Sequence, residues 1–191
     1  MEGAKFLLAG QDKKSLSAIK NSLVAGGYIY VAYSGNSNNI LRYVRALEPD
    51  LLIIEATGGF NVLRQSLELI DEELLAACIL LLDSRNDEIF EFIRRSRVMT
   101  YVAKPVFDEV MVQIADIMLS NFKRVREYES KLKQLNESLE SRKVIEKAKW
   151  LLVEQEGHTE LDAYEAIKRK SRDNRISMRE IAEAIILTRT K

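Results

Sequence analysis

Side chains able to do chemistry gather in two places along this chain. In the first hundred or so residues they stand at the ends of apolar runs: Gly10, Gln11 and Asp12 after KFLLA, Glu55 ending LLIIE, Asp83 and Ser84 after CILLL, and Lys104 after MTYVA. Carboxylates and a lysine brought together can pair and shift one another's titration. In the last third, Lys168, Arg169, Lys170, Arg172, Arg175 and Arg179 crowd around the joint of two predicted helices. Such a cluster can contact phosphates, or can be a solvated helical face. The rest is poor in catalytic groups. There is one histidine, His158, and one cysteine, Cys78, set in an apolar run, and there is no glycine-rich phosphate loop. A catalytic triad, a zinc cluster and an internal disulfide are excluded, so neither an enzyme nor a metal or cofactor is expected.

The elements that must position the first group are legible. AKFLLAG, YIYVAYS, DLLIIEA, CILLLD and MTYVA are β-rich runs separated by helix-like segments. Near-continuous apolar strands alternating with helices predict an α/β fold, a flavodoxin-like doubly wound parallel five-stranded sheet over residues 1–120. Chemistry in such sheets gathers at the carboxyl ends of the strands, where the first group lies.

From Val106 to Gln155 there is neither proline nor glycine, which predicts one long helix of roughly 70 Å. Met111, Ile114, Met118, Val125, Tyr128, Leu132, Leu135 and Leu139 recur at heptad spacing, with Asn121 and Arg142 at polar positions of the same register. For Met111 to Met118 packing on the chain's own α/β domain is the simpler reading. Further on, ESKLKQLNESLE is polar except for the stripe, so Val125, Tyr128, Leu132, Leu135 and Leu139 are expected to form a coiled-coil homodimer over residues 121–141.

Beyond it, residues 142–191 predict a small all-α three-helix bundle. Gly157 suits a left-handed helix end, Thr159 with Asp162 and Ser177 with Glu180 have cap spacing, and a break is expected at Asp173-Asn174. Its core stripes are Val144, Ile145, Ala148, Leu151 and Leu152, then Ala163, Tyr164 and Ile167, then Ile176, Met178, Ile181, Ala182, Ile185 and Ile186. This end is modestly basic, with 12 Lys+Arg against 9 Asp+Glu in a chain of net charge zero. No apolar run approaches the ~20 residues that span a bilayer, so a cytoplasmic protein without membrane association is expected.

Two resemblances follow from these residues. The five-strand spacing with YVAKP at its end resembles the receiver domain of bacterial response regulators. That resemblance implies a magnesium-binding acidic pair, a phosphoacceptor aspartate, a hydroxyl residue and a lysine, at positions that align with Gly10 and Gln11, with Glu55, with Asp83 and with Lys104. Gly10 offers magnesium no oxygen from a side chain, Glu55 is a methylene too long, and Asp83 would repel a phosphoryl group. Asp12 and Ser84 are the nearest substitutes. The expectation is a degenerate pocket, a pseudo-receiver, in which Lys104 pairs with Glu55, either imitating an activated site or as a structural salt bridge. Tyr101 stands where receivers often carry a switching aromatic, or is a core or rim residue.

The run SRKVIEKAKWLLVEQEGHTELDAYEAIKRKSRDNRISMREIAEAII resembles an ANTAR domain through Arg142, Ile145, Ala148-Lys149, Gly157, Ala163-Tyr164, Lys168, Arg175 and Ile181-Ala182. Trp150 replaces the family's usual glycine, either to fill a core pocket or to alter packing there. The resemblance implies a dimeric RNA-binding regulator of transcription antitermination that holds hairpins of a messenger leader. Lys149, Lys168, Arg169, Arg172, Arg175 and Arg179 would contact RNA, and a regulatory protein or ligand would act on the receiver-like half. The competing expectations are a protein-interaction module and a DNA-binding regulator without RNA binding.

Overall fold

The computed structural model describes residues 3–35, 39–56, 60–84 and 86–189. Five parallel strands, β1 (Lys5–Ala9), β2 (Ile29–Ser34), β3 (Leu51–Glu55), β4 (Ala77–Leu82) and β5 (Met99–Ala103), lie in the order β2-β1-β3-β4-β5. This is the flavodoxin-like order, with the chain reversing direction across the sheet between β1 and β3. Helices α1 (Lys13–Ala25), α2 (Ile40–Leu47), α3 (Phe60–Glu72) and α4 (Asp87–Arg95) form the crossovers. The strands are apolar on both sides because both faces are covered, and every residue of β3 and β4 is buried. Cys78 belongs to this interior, where burial, and after it the charge of Asp71, pushes its thiol far above the ordinary range.

Local chemistry starts these helices. Asp12 caps α1, accepting from the backbone N–H groups of Lys14 and Ser15 at 3.1 Å each. Asn86 caps α4 in the same way, and Asp87 and Glu88 in the first turn with Arg94 and Arg95 in the last complement the helix dipole.

Helix α5 (Asp108–Glu156) runs for 49 residues, as the absence of breakers predicts. Met111, Ala115, Met118, Leu119 and Phe122 enter the core of the sheet domain, and Val125 packs against its edge. The Met111 and Met118 positions of the stripe are therefore spent on their own domain, as the simpler reading had it. The chain divides into two compact units, Met1–Tyr128 and Glu129–Lys191.

In the second unit the end of α5 packs with α6 (Glu160–Asn174) and α7 (Met178–Arg189) around Ala148, Leu152, Ala163, Ile167, Ala182 and Ile185. Thr159 Oγ1 accepts from Asp162 N at 3.1 Å, and Gly157 is left-handed at φ 69°. Ser177 and Glu180 cap reciprocally: Glu180 Oε2 accepts from Ser177 N at 2.8 Å, and Ser177 Oγ accepts from Glu180 N at 3.2 Å. Three details differ from expectation, and Trp150 is settled against the core-pocket alternative. The break is not at Asp173-Asn174, which finish α6, but at Arg175, which takes a left-handed conformation at φ 55°. Tyr164, Trp150 and Ile176 lie outside the core, with 39%, 58% and 42% of their surface exposed, because Ala163, Ile167, Ala148 and Leu152 already fill the space between the three helices.

Candidate functional site

At the carboxyl ends of the strands one group dominates. Glu55, last residue of β3, is only 2% exposed. Its Oε2 accepts the backbone N–H groups of Gln11 and Asp12, both at 2.8 Å, and its Oε1 accepts from Lys104 Nζ. Lys104 reaches a second carboxylate, Asp83 Oδ1, at 3.3 Å. Burial alone would raise the Glu55 carboxyl, but the hydrogen bond from Lys104, the two backbone N–H groups and the lysine's charge outweigh it and hold the group below its usual range. Lys104 is its mirror image: burial would lower it, and its bonds to Glu55 and Asp83 hold it above its usual value.

Gly10 makes this arrangement fit. It sits at φ +152°, and a Cβ there would fall 2.5 Å from Glu55 Cβ and 2.8 Å from Oε2. Any side chain at position 10 would collide with the glutamate. The two departures read separately in the sequence, a glycine for an acid and a glutamate for an aspartate, are thus one steric unit.

The other residues of the set fall at different distances from it. Gln11 and Asp12 contribute backbone N–H groups, while the Asp12 carboxylate is turned to the start of α1. Ser84 is exposed and makes no hydrogen bond to the cluster among the described residues; it lines a separate cleft with Phe90, Ile93, Arg94 and Tyr101. Tyr101 is a rim aromatic, 43% exposed, packed edge-on against Phe90 at 4.5 Å.

In the second unit, 3.6 residues per turn put Tyr164, Lys168 and Arg172 in one row on α6, flanking the buried Ala163 and Ile167. Lys168 Nζ lies 5.9 Å from the Tyr164 ring and 2.9 Å from Glu165. Arg169, Lys170, Arg172 and Arg175 are exposed and form no ion pair among the described residues. Arg179 is engaged by Glu183 at 2.8 Å. Lys149 stands apart, largely covered, at 2.9 Å from Glu146 and 4.0 Å from Glu160. An acid three or four residues away was the available signal for these pairings, as Glu146 is for Lys149 and Glu183 for Arg179, but it is not sufficient, since Arg169 has Glu165 at the same spacing and no ion pair with it. His158 meets Glu156 at 2.9 Å beside the interhelical joint. On α5, Tyr128, Leu132, Leu135 and Leu139 are each about half exposed or more, at 61%, 54%, 58% and 47%.

A doubly wound sheet carrying an acid–lysine contact at its strand ends is followed by a long helix and a small helical bundle. Residues 133–186 match the ANTAR domain, so the chain carries an ANTAR segment after a sheet domain of receiver-like fold. It is similar to the transcriptional regulatory protein PdtaR of Mycobacterium tuberculosis, with 27% identity over 162 residues that cover 85% of this chain and 79% of that protein. Among solved structures, the signal receiver domain of a modulated diguanylate cyclase from Desulfovibrio desulfuricans G20 superposes with a TM-score of 0.56 at 17% identity, over 64% of this chain and 98% of that one. A response regulator from Thermotoga maritima does so with a TM-score of 0.54 at 18% identity, over 62% and 98%. These two likenesses concern the fold of the first unit. No helix of the described residues is long and apolar enough to cross a membrane.

Proposed function

We propose that this regulator acts as a homodimer that binds hairpins in leader RNA and promotes transcription antitermination, under the control of a receiver unit that is not phosphorylated. The observation that carries this reading is the exposed row on α6: an aromatic, Tyr164, in line with Lys168 and Arg172, beside Arg169 and Arg175, within the segment that matches the ANTAR domain. Unpaired arginines attract phosphates without first breaking an ion pair, and an exposed ring offers a face on which an unstacked loop base can lie. Lys149 and Arg179 contribute less, since each would have to leave an acidic partner.

Dimerisation is supported by the stripe of Tyr128, Leu132, Leu135 and Leu139, half exposed on an otherwise polar helix, whose burial against a second copy would remove apolar surface from water. Val125 serves the edge of the first unit's own core, so the pairing seam starts at Tyr128. The pseudo-receiver reading is supported by Glu55, whose carboxylate is held by two backbone N–H groups and already engages the lysine that an incoming phosphoryl group would need.

Binding to leader hairpins, measured by filter retention at increasing salt, tests the reading. The full chain is expected to bind with affinity that falls steeply with salt, and Arg172→Ala with Arg175→Ala to reduce both the affinity and the salt slope. Retention of duplex DNA but not RNA, or of neither, would replace this reading by a DNA-binding or a protein-interaction role.

A further inference from the structure

We infer that the cleft between α1 and β2 is a binding site for a small ligand consisting of a flat aromatic ring that bears an acidic group. The cleft has a volume of about 300 Å³, at the lower end of ligand pockets, and suits a molecule no larger than a mononucleotide. Leu8 and Leu16 are its apolar floor, Lys13, Ser17 and Lys20 line it from α1, and Tyr30 and Tyr33 from β2. Among the described residues no acidic residue lines it.

The tyrosines share this cleft because of a specific irregularity. Phe6 pairs with Tyr30, Leu7 with Ala32 and Leu8 with Tyr33, so Val31 is an extra residue bulged out of the β1–β2 ladder. In a regular strand the period of two would place Tyr30 and Tyr33 on opposite faces of the sheet. The bulge returns Tyr33 to the face of Tyr30, and bulges of this kind, uncommon in parallel pairs, re-aim side chains. The Tyr33 hydroxyl is then fixed by donating to Gly10 O at 2.7 Å.

The lysines complete the argument. Lys13, Ser17 and Lys20 stand at i, i+4 and i+7 on one face of α1, with a hydroxyl between two ammonium groups. Neither ammonium has a carboxylate within ion-pair distance among the described residues. Lys20 Nζ instead lies 4.1 Å over the Tyr30 ring. A ring held against the tyrosines would present its acidic group to the two ammonium groups and the Ser17 hydroxyl, which supply charge-assisted hydrogen bonds to a phosphate or a carboxylate alike. Because Tyr33 is anchored to Gly10, and Gly10 packs on Glu55, an occupant of the cleft would touch the same loop that holds the glutamate.

This assignment rests on the proposed function only in placing control in the first unit, and its test contains no RNA, so either can fail without the other. Titration calorimetry of the full chain at low salt would use adenosine monophosphate, guanosine monophosphate and 4-hydroxybenzoate as probes, with inorganic phosphate as the ringless control. At least one ring-bearing probe is expected to bind with a Kd below about 1 mM and at least about tenfold more tightly than phosphate. The nucleotide and benzoate arms distinguish a phosphate-bearing from a carboxylate-bearing ligand. Lys13→Gln with Lys20→Gln is expected to weaken that binding by about tenfold or more, and Tyr30→Leu to weaken the ring-bearing probe while leaving phosphate unchanged, in variants whose circular dichroism and melting match the parent. Failure of every probe to bind below about 1 mM, phosphate binding as tightly as the ring-bearing probes, or normal binding by the double lysine variant would each overturn the assignment.

Discussion

Glu55 occupies the end of β3 as a buried carboxylate that is fully hydrogen-bonded, and two other residues make that tolerable: Lys104 supplies the charge and Gly10 supplies the room. Gly10→Ala would force its new methyl into Glu55 and is expected to destabilise the first unit by about 2 kcal/mol, the scale of core overpacking. Combined with Glu55→Gly, which removes the Cβ that the new methyl would meet, the loss should be smaller than the sum of the two single losses, a coupling that urea unfolding of all four proteins measures. Glu55→Gln would leave Lys104 facing an uncharged amide and is expected to cost on the order of 3 kcal/mol near neutral pH. The folded Glu55 titrates below its unfolded counterpart, so the stabilisation is complete above the ordinary glutamate value of about 4.3 and is lost as pH falls through the lower folded value. Lys104, held above its ordinary value, gives the same contact its alkaline limit, since its contribution is present below about 10.4 and lost as pH rises through the folded value. The gap between parent and Glu55→Gln, followed by urea unfolding from pH 7 to pH 3, should therefore close towards the acid end. A gap that stayed constant to pH 3 would show that the pair contributes nothing as a charge contact.

At the scale of elements, α5 changes task along its length. Its first turns bury Met111, Met118 and Phe122 in the receiver fold, its middle leaves Leu132, Leu135 and Leu139 half exposed, and its last turns bury Ala148 and Leu152 in the bundle. Leu132→Lys with Leu139→Lys touches neither core. It is expected to convert the chain to a monomer in sedimentation equilibrium while both units keep their helicity; an unchanged mass would sink the coiled-coil seam. Helix α7 depends on its first turn, where Ser177 and Glu180 satisfy each other's backbone N–H groups. Ser177→Ala removes one of those acceptors and is expected to cost about 1 kcal/mol, visible as a lower melting point of the second unit.

For the whole molecule, the proposal makes α5 the element through which the receiver unit, the dimer seam and the ANTAR domain communicate, since one uninterrupted helix contributes to all three. Removing the heptad 132–138 preserves the helical register and the apolar stripe but shortens the seam. It is expected to weaken binding to a leader carrying two hairpins by about tenfold or more and to change binding to a single hairpin far less, because only the paired mode depends on spacing. Equal affinities before and after the deletion would exclude that role. Acetyl phosphate, a small phosphodonor, is expected to leave the mass of the intact protein unchanged; a gain of one phosphoryl group at Glu55 or Asp12 would overturn the pseudo-receiver reading.

The order of strands and helices, the uninterrupted α5 and the caps at Thr159 and Ser177 were written in the sequence because each rests on local chemistry: apolar runs of strand length, the absence of helix breakers, and a hydroxyl three residues before a carboxylate. The contact of Glu55 with Lys104 was legible from strand ends, since in a doubly wound sheet those ends must meet. The steric dependence of Glu55 on Gly10, the removal of Val125 from the dimer stripe, the exposure of Tyr164 and Trp150, and the bulge at Val31 that gathers two tyrosines onto one face were decided only by the tertiary structure. Each depends on how much volume remains, or how strands slip, once residues far apart in the chain are pressed together, and periodicity along one chain carries no record of that.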